Sequence, residues 1–290
     1  MTSIRPRRSV LYVPGTNEKA LAKCGSLECD SVIFDLEDAV APSAKASARD
    51  ALTAYFSANP GSAMERIIRV NAGSTEWGAD DLEAAIASGP DAILLPKVER
   101  PEDIAEAARK LDRHGADAIR LWAMIETPLG IVNIRDIARL GTEPSVRLDC
   151  FVVGSNDLCK ETGLPIPEGR PTLLHWLAQV VLHARAFGID VVDGVYNDFR
   201  DQSGYEAECR AGALLGFDGK TLIHPAQIAF ANSAFGPTAS AIAEAERIVA
   251  AFADQDNRDK GVIALDGKMV ERLHLEMARK TLAKAGAART

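Results

Sequence analysis

The 290-residue sequence lacks most of the features that would assign a protein to a class at once. It has no apolar run near the roughly 20 residues that a membrane helix needs, and its basic N-terminus is not followed by the apolar stretch of a secretory signal. It also has no glycine-rich phosphate loop, dinucleotide-binding fingerprint, nucleophile elbow or zinc motif. We therefore expect no membrane partner. We also expect a chemistry that depends on none of these four motifs.

Paired cysteines and excess positive charge are absent as well. The five cysteines are Cys24, Cys29, Cys150, Cys159 and Cys209. Their number is odd and their spacing does not suit zinc ligands, so we expect reduced, structural thiols in a cytoplasmic protein. The net charge of −8 at pH 7 argues against a general nucleic-acid surface.

The sequence does contain a repeated strand-then-helix pattern. Short runs rich in β-branched or aromatic residues are each followed by a stretch of helical composition. The eight runs are 9–13, 31–35, 66–70, 92–95, 119–125, 150–153, 190–192 and 221–223. They are nearly continuous apolar stretches, as expected for parallel strands buried on both faces. The pattern predicts an α/β fold, a (β/α)8 TIM barrel, in preference to an open doubly wound sheet.

The pattern changes after the eighth strand. We predict a TIM-barrel catalytic domain over residues 1–225 and a separate C-terminal segment over residues 226–290. That segment indicates a helix over 238–254, a short strand over 261–265 and a last helix over 270–285. Because it is too small to fold alone, we expect a helical lid or an oligomerisation extension.

Two carboxylates follow neighbouring predicted strands, at the end of the barrel where TIM barrels place their chemistry. Glu126 ends the fifth strand and Asp157 follows the sixth. Mg²⁺ usually takes one or two protein carboxylates and leaves its other positions to water and substrate. The alternative is that each carboxylate caps a following helix. Their occurrence on adjacent strands favours a metal site.

Arg69 ends an apolar strand, where an unpaired guanidinium would be very costly to bury. Its partner is either a carboxylate at the same end of the barrel, Glu37 or Asp38, or a substrate carboxylate held by two parallel hydrogen bonds. We interpret Glu37 and Asp38 as acceptors for metal-bound water or for Arg69, and not as direct metal ligands.

Two further positions stand out near the end of the barrel and in the tail. The pair Asp266-Gly267 is first of all a hairpin signal, because it suits a tight turn that needs positive φ. His224 follows the eighth strand, and barrels often bind phosphate near strands seven and eight.

Several motifs together carry a resemblance to a known family. They are RSVLYVPG (8–15), DLEDAV (35–40), RVN (69–71), LPKVE (95–99), IHPAQ (223–227), LDGKMV (265–270) and the stretches around Glu126 and Asp157. The sequence resembles the citrate lyase β-subunit-like family, which includes malyl-CoA and citramalyl-CoA lyases among the Mg²⁺-dependent HpcH/HpaI-type aldolases. The resemblance covers nearly the whole chain and is specific for the family, but not for the substrate.

The resemblance implies residue roles. It implies Mg²⁺, with Mn²⁺ as an alternative, bound by the residues that match Glu126 and Asp157. It implies that Arg69 binds the α-keto acid and that Glu37 and Asp38 belong to the same catalytic set. It also implies that Asp266 is the acid or base at the acetyl carbon, carried by a lid that closes over a neighbouring subunit's site in a homo-oligomer, either a trimer or a hexamer.

Coenzyme A is implied as part of the substrate, with Arg8, Pro14, Lys19 and His224 as its binding residues. The implied function is that of an oxo-acid lyase. It would cleave a 3-hydroxyacyl-CoA such as malyl-CoA or citramalyl-CoA by a retro-Claisen reaction, or run the condensation in reverse, with an acyl-CoA and an α-keto acid as its small-molecule partners.

Two alternatives stay open. The first is the β-subunit of a citrate lyase complex, which would take a citryl group on an acyl carrier protein. The second is a catalytically silent barrel that binds acyl-CoA. The complete set of Arg69, Glu126, Asp157 and Asp266 speaks against the silent barrel, because a retired site would be free to lose any of them.

Overall fold

A computed structural model of the chain describes residues 5–287. Two compact units are present, one of residues 7–232 and one of residues 233–287 with residues 5 and 6. The strands are β1 Ser9–Pro14, β2 Ser31–Asp35, β3 Glu65–Arg69, β4 Ala92–Leu95, β5 Arg120–Ile125, β6 Leu148–Val153, β7 Asp190–Asp193, β8 Gly219–Leu222, β9 Val262–Leu265 and β10 Lys268–Glu271. The helices are α1 Glu18–Lys23, α2 Lys45–Ala58, α3 Gly78–Ser88, α4 Pro101–Arg113, α5 Pro128–Val132, α6 Ile134–Arg139, α7 Ser155–Thr162, α8 Leu174–Ala186, α9 Gln202–Leu215, α10 Ile228–Ala234, α11 Ala239–Ala253 and α12 Arg272–Ala287.

The first unit is built on a closed barrel of eight parallel strands, in which β8 pairs back to β1. Helices follow the strands along the chain, as in a (β/α)8 TIM barrel. The predicted fold is therefore confirmed. Strands β2 and β4 are buried along their whole length, which explains why they have no polar alternation in the sequence.

The barrel interior is filled by side chains from alternate positions of the strands, because successive residues of a strand point to opposite faces. These inward-facing residues are Val10, Ile33, Ile67, Ala92, Leu94, Trp122, Met124, Cys150, Val152 and Val192, with Tyr12 packed against them. The same alternation aims the last inward residue of each strand into the mouth of the barrel.

An ion network lies at the opposite end, where the strands begin. Arg7, just before β1, is hydrogen-bonded to Glu65 and Asp190 at 2.7–2.9 Å and also to Asp149. Its guanidinium lies over the ring of Trp122, 4.8 Å from the centroid. Arg7 is only 5% exposed, so its guanidinium is buried against the packed interior at the lower end of the barrel.

The second unit has its own small core. Strands β9 and β10 form an antiparallel hairpin, and α11 and α12 pack against each other. The core residues are Phe252, Ile263, Val270 and Leu275. The prediction that the last helix begins at residue 270 was wrong, because Val270 lies in β10 and the helix begins at Arg272.

No helix within residues 5–287 combines the length and the apolar character that a membrane crossing requires. All five cysteines are buried thiols without a disulfide.

Candidate active site

Arg69, the last residue of β3, pairs with Asp35, the last residue of β2. Its Nε and Nη2 donate to the two carboxylate oxygens of Asp35 at 2.6 and 2.7 Å. Its Nη1 lies 2.8 Å from Oε2 of Glu37. All three side chains are buried. Of the two alternatives for Arg69, the structure has the internal ion pair. Glu37 is one partner, as predicted. Asp35, which the sequence analysis did not single out, is the bidentate partner.

Asp35 also shapes the loop after β2. Its carboxylate accepts the backbone N–H groups of Glu37 and Ala39 at 2.9 and 3.1 Å. The loop therefore turns back over the strand end and holds the Glu37 carboxylate beside Arg69. Burial raises the pKa of Glu37, although the positive charge of Arg69 opposes this effect.

Glu126 follows β5 and is fully buried. Its Oε1 accepts the backbone N–H of Lys97 at 2.8 Å, whereas its Oε2 is buried with no hydrogen-bond partner among the described residues. Burial, and next the negative charge of Glu37, raise the pKa of Glu126 from 4.5 to about 8. The folded chain thus holds a carboxylate oxygen in a place that suits a cation.

Gly154 makes room for this carboxylate at the end of β6. A Cβ atom at this position would lie 2.5 Å from both Cβ and Oε2 of Glu126. Any side chain larger than hydrogen would therefore displace Glu126. The requirement for glycine is one of space, because the φ of Gly154 is −101°.

Asp157 is the third residue of α7, which begins directly after Gly154. Its side chain is 18% exposed, and Oδ1 lies 4.0 Å from Nζ of Lys160. Neither candidate metal ligand caps a helix, because the N-cap of α7 is Gly154 and that of α5 is Thr127. The capping alternative is therefore wrong for both carboxylates.

Lys97 connects the two buried glutamates. Its backbone N–H donates to Glu126, and its Nζ donates to Oε1 of Glu37 at 2.8 Å. Its φ is +50°, a left-handed conformation that is costly for a residue with a side chain. Burial disfavours its charged form, but the hydrogen bond to Glu37 together with the negative charges of Glu37, Glu126 and Asp38 outweighs this effect and raises the pKa of Lys97.

The donor set fits a hard cation that keeps much of its water. Within residues 5–287, no group of three or more histidine, cysteine, aspartate or glutamate side chains is arranged to hold a metal ion. A site of two carboxylates is nevertheless what Mg²⁺ commonly uses. The unpartnered Oε2 of Glu126 is the observation that fits such an ion best.

The predicted coenzyme A residues do not all lie together. Pro14 ends β1 and His224 follows β8, so both lie at the same end of the barrel as Glu126, and Lys19 is exposed near the start of α1. Arg8 precedes β1 at the opposite end, where Nε and Nη2 donate to Asp30 at 2.8 Å. The structure therefore does not bring Arg8 to the predicted site.

Asp38 and Asp266 complete the predicted catalytic set. Asp38 is exposed in the loop after β2, next to Glu37. Asp266 and Gly267 form the turn between β9 and β10, with φ angles of +52° and +76°, so the hairpin interpretation is confirmed. Within its own unit, Asp266 pairs with Arg247 at 2.6 Å. Its catalytic role stays a prediction.

Comparison with known proteins places this site in a family. Residues 8–225 match the protein family described as HpcH/HpaI aldolase/citrate lyase. The chain belongs to the HpcH/HpaI aldolase/citrate lyase family. One relative, named (3S)-malyl-CoA thioesterase, from Cereibacter sphaeroides, is 46% identical over 97% of this chain and 95% of its own length.

Other members of the HpcH/HpaI family are named as lyases. The mitochondrial citramalyl-CoA lyase of Homo sapiens is 34% identical over 97% of this chain and 86% of its own. The citrate lyase subunit beta of Escherichia coli is 34% identical over 97% and 94% of the two chains. The predicted family and the prediction of an enzyme of lyase type are confirmed.

A solved structure is similar to this chain in fold as well. Protein CitE of Mycobacterium tuberculosis, crystallised in complex with magnesium, acetoacetate and coenzyme A, superposes with a TM-score of 0.78. It is 30% identical, and the match covers 98% of this chain and all of that one.

The sequence analysis missed three features of the candidate site: Asp35, the space at Gly154 and the backbone of Lys97. Asp35 could have been found, because it is the last polar residue of a buried strand next to the strand of Arg69. The space required at Gly154 and the left-handed backbone of Lys97 gave no local signal, because both follow from contacts between strands that are distant in sequence.

Proposed function

We propose that the chain is a Mg²⁺-dependent carbon–carbon lyase. Its substrate is a 3-hydroxyacyl-CoA such as malyl-CoA or citramalyl-CoA, which it cleaves to acetyl-CoA and an α-keto acid. The observation that carries this proposal is the buried Oε2 of Glu126, which has no partner among the described residues and lies against Gly154 at the start of the helix of Asp157. The 34% identical citramalyl-CoA lyase supports the reaction type.

Glu126 and Asp157 would hold the ion. When bound, Mg²⁺ supplies positive charge that lowers the pKa of the substrate hydroxyl group. Arg69 is fixed by Asp35 and Glu37, so it presents its charge to the mouth of the barrel in one orientation. Asp266 would protonate the acetyl carbon after the bond breaks and would remove that proton in the condensation direction.

Thioester hydrolysis is the second candidate, and a specific observation favours it. The 46% identical relative from Cereibacter sphaeroides is named (3S)-malyl-CoA thioesterase. Hydrolysis of malyl-CoA would leave the carbon–carbon bond intact and release malate and free coenzyme A. Both candidates need the same carboxylate pair to orient the hydroxy acid end of the substrate.

Product analysis separates the two candidates. Malyl-CoA and citramalyl-CoA are incubated with the purified chain, with Mg²⁺ or with a chelator, and the products are identified by mass spectrometry. Lyase activity yields acetyl-CoA and glyoxylate or pyruvate, whereas hydrolysis yields malate or citramalate with free coenzyme A. Turnover that the chelator leaves unchanged would contradict both candidates.

The tail supports a proposal about assembly. Leu273 and Met277 lie one turn apart on α12 and are 51% and 62% exposed, and Met269 in the preceding hairpin is 69% exposed. Apolar groups exposed together usually mark a contact surface. We propose a cytoplasmic homotrimer in which the segment after the barrel acts as a lid over a neighbouring subunit. Light scattering after size exclusion tests the stoichiometry, and a carrier-protein pull-down tests the citrate lyase alternative.

A further inference from the structure

Arg69 is held in one orientation by protein groups. Its Nε and Nη2 are bound to Asp35, and its Nη1 lies beside Glu37 and 3.7 Å from the sulfur of Met124. Its side chain is only 7% exposed. The guanidinium supplies charge to the mouth of the barrel, but two of its five N–H donors are taken by Asp35.

Lys97 is the cation beside Arg69 that keeps free donors. Its ammonium has three N–H bonds, of which the hydrogen bond to Glu37 takes one. Its side chain is 35% exposed. It also lines a cavity of about 820 Å³ beside α3 and α4, whose lining includes Asn71 and Thr127 but not Glu126, Asp157 or Arg69. The case for Lys97 therefore rests on its contacts with Glu37 and Glu126.

The backbone of Lys97 has a left-handed conformation, with a φ of +50°. A non-glycine residue in the left-handed region costs about 1–3 kcal/mol, and such residues cluster at functional sites. In this conformation, a single residue places its N–H on Glu126 and its ammonium on Glu37. The ammonium is thereby held at Glu37 by the same residue whose backbone N–H binds Glu126, the proposed metal ligand.

We propose that the Lys97 ammonium donates a hydrogen bond to the thioester carbonyl oxygen of the substrate, a role that rests on the proposed function. In a 3-hydroxyacyl thioester, this carbonyl lies two carbon–carbon bonds from the carbon that bears the hydroxyl group. If Glu126 and Asp157 orient the hydroxyl end, the carbonyl oxygen lies close to a residue that itself touches Glu126.

The same donor serves both candidate reactions, because negative charge develops on the same oxygen in each. In cleavage, the electron pair of the O–H bond forms the carbonyl group of glyoxylate or pyruvate, and the proton leaves to water. The electron pair of the breaking carbon–carbon bond then moves towards the thioester carbonyl and gives an enolate. The carbon of this enolate later takes a proton from Asp266. In hydrolysis, water adds to the thioester carbon, the C–S bond breaks, and the proton lost by water goes to sulfur. Lys97 stabilises the oxyanion in both cases.

The test begins with Lys97→Met, which keeps an unbranched side chain one atom shorter and removes its charge. We expect kcat to fall by about 10²- to 10³-fold, as for the loss of one oxyanion donor. We also expect calorimetric Mg²⁺ affinity to stay the same or to tighten, because a neighbouring cation has been removed. Lys110→Met is the matched control, since Lys110 on α4 pairs with Glu83 on α3 and is no part of the proposed site, and it should leave kcat unchanged.

Two more variants test whether Lys97 binds the substrate, only neutralises Glu37, or matters only through its strained backbone. If Lys97 only neutralises Glu37, Lys97→Met combined with Glu37→Gln should recover activity towards wild type, and that recovery would overturn the proposal. Lys97→Gly accepts the left-handed backbone without strain, so we expect it to be as slow as Lys97→Met.

The outcomes for this proposal and for the proposed function are distinguishable. An active wild type with a near wild-type rate in Lys97→Met or Lys97→Gly rejects the role of Lys97 alone. A wild type that neither cleaves nor hydrolyses the thioesters rejects the proposed function, and the role of Lys97 with it.

Discussion

Replacing Glu126 with glutamine should stabilise the metal-free protein while it destroys the metal site. The carboxylate is fully buried, its Oε2 has no partner among the described residues, and its pKa is raised from 4.5 to about 8. Ionising Glu126 in the folded state is therefore unfavourable. Glutamine has the same shape and carries no charge, so the Glu126→Gln variant avoids this penalty.

The size and sign of the effect follow from proton linkage. The unfolded chain releases the proton of Glu126 near pH 4.5, whereas the folded chain keeps it up to about pH 8. The folded state binds more protons across this window, so the contribution of Glu126 to stability falls as the pH rises. At ~1.4 kcal/mol per pH unit, the loss amounts to ~5 kcal/mol above pH 8. Glu126→Gln should show no such loss.

Urea unfolding followed by circular dichroism, in a chelator and from pH 5 to pH 9, measures this difference. We expect Glu126→Gln and wild type to be similar near pH 5 and to diverge steadily up to pH 8. Asp157→Asn is the matched control, because Asp157 is partly exposed at the start of a helix. It should lose Mg²⁺ affinity without gaining stability. A Glu126→Gln variant that is no more stable than wild type at pH 9, or that binds Mg²⁺ normally, would refute the reasoning.

Three further variants test other parts of the site. Arg69→Lys should lower kcat/KM at least 100-fold, because an ammonium cannot replace the bidentate pair with Asp35; a near wild-type value in steady-state kinetics would show that charge alone suffices. Gly154→Ala should abolish Mg²⁺ binding in calorimetry, since its Cβ would lie 2.5 Å from Oε2 of Glu126; normal affinity would mean that the carboxylate can move aside. Asp266→Asn should slow turnover by about 10²- to 10⁴-fold with the turn intact, because asparagine also tolerates positive φ. Mixing it with Glu126→Gln should restore activity if the lid acts on a neighbouring subunit, and failure despite proven subunit exchange would reject that arrangement.

The barrel could be predicted from the sequence because its strands are buried on both faces. Runs 31–35 and 92–95 coincide with β2 and β4, and the other six predicted strands overlap observed ones. The tail was harder to predict, because β10 is largely exposed and its residues have no clear alternation. The start of the last helix was misplaced there.

The site could be predicted only in its outline. The sequence singles out Glu126, Asp157 and Arg69, because a charged residue at the end of an apolar strand is conspicuous in any sequence. Glu37 was named as a possible partner of Arg69, but neither Asp35 nor the contact between Glu126 and Lys97 was found, because pairing across strands depends on register. Arg69 lies opposite Asp35 only because β2 and β3 align those two residues. The contact of Lys97 with Glu126 arises in the same way, between the ends of β4 and β5.

The packed interior of the barrel, with the ion network around Arg7 beneath it, leaves the end that carries Glu126 as the place where a substrate can bind. A substrate that enters with its hydroxy acid first and its long coenzyme A portion last has to leave in the reverse order. For the lyase reaction, we therefore expect acetyl-CoA to depart first and the keto acid to depart last. The keto acid should then compete with the incoming thioester for the empty enzyme, whereas acetyl-CoA should not, and product-inhibition patterns would reveal the sequence of departures.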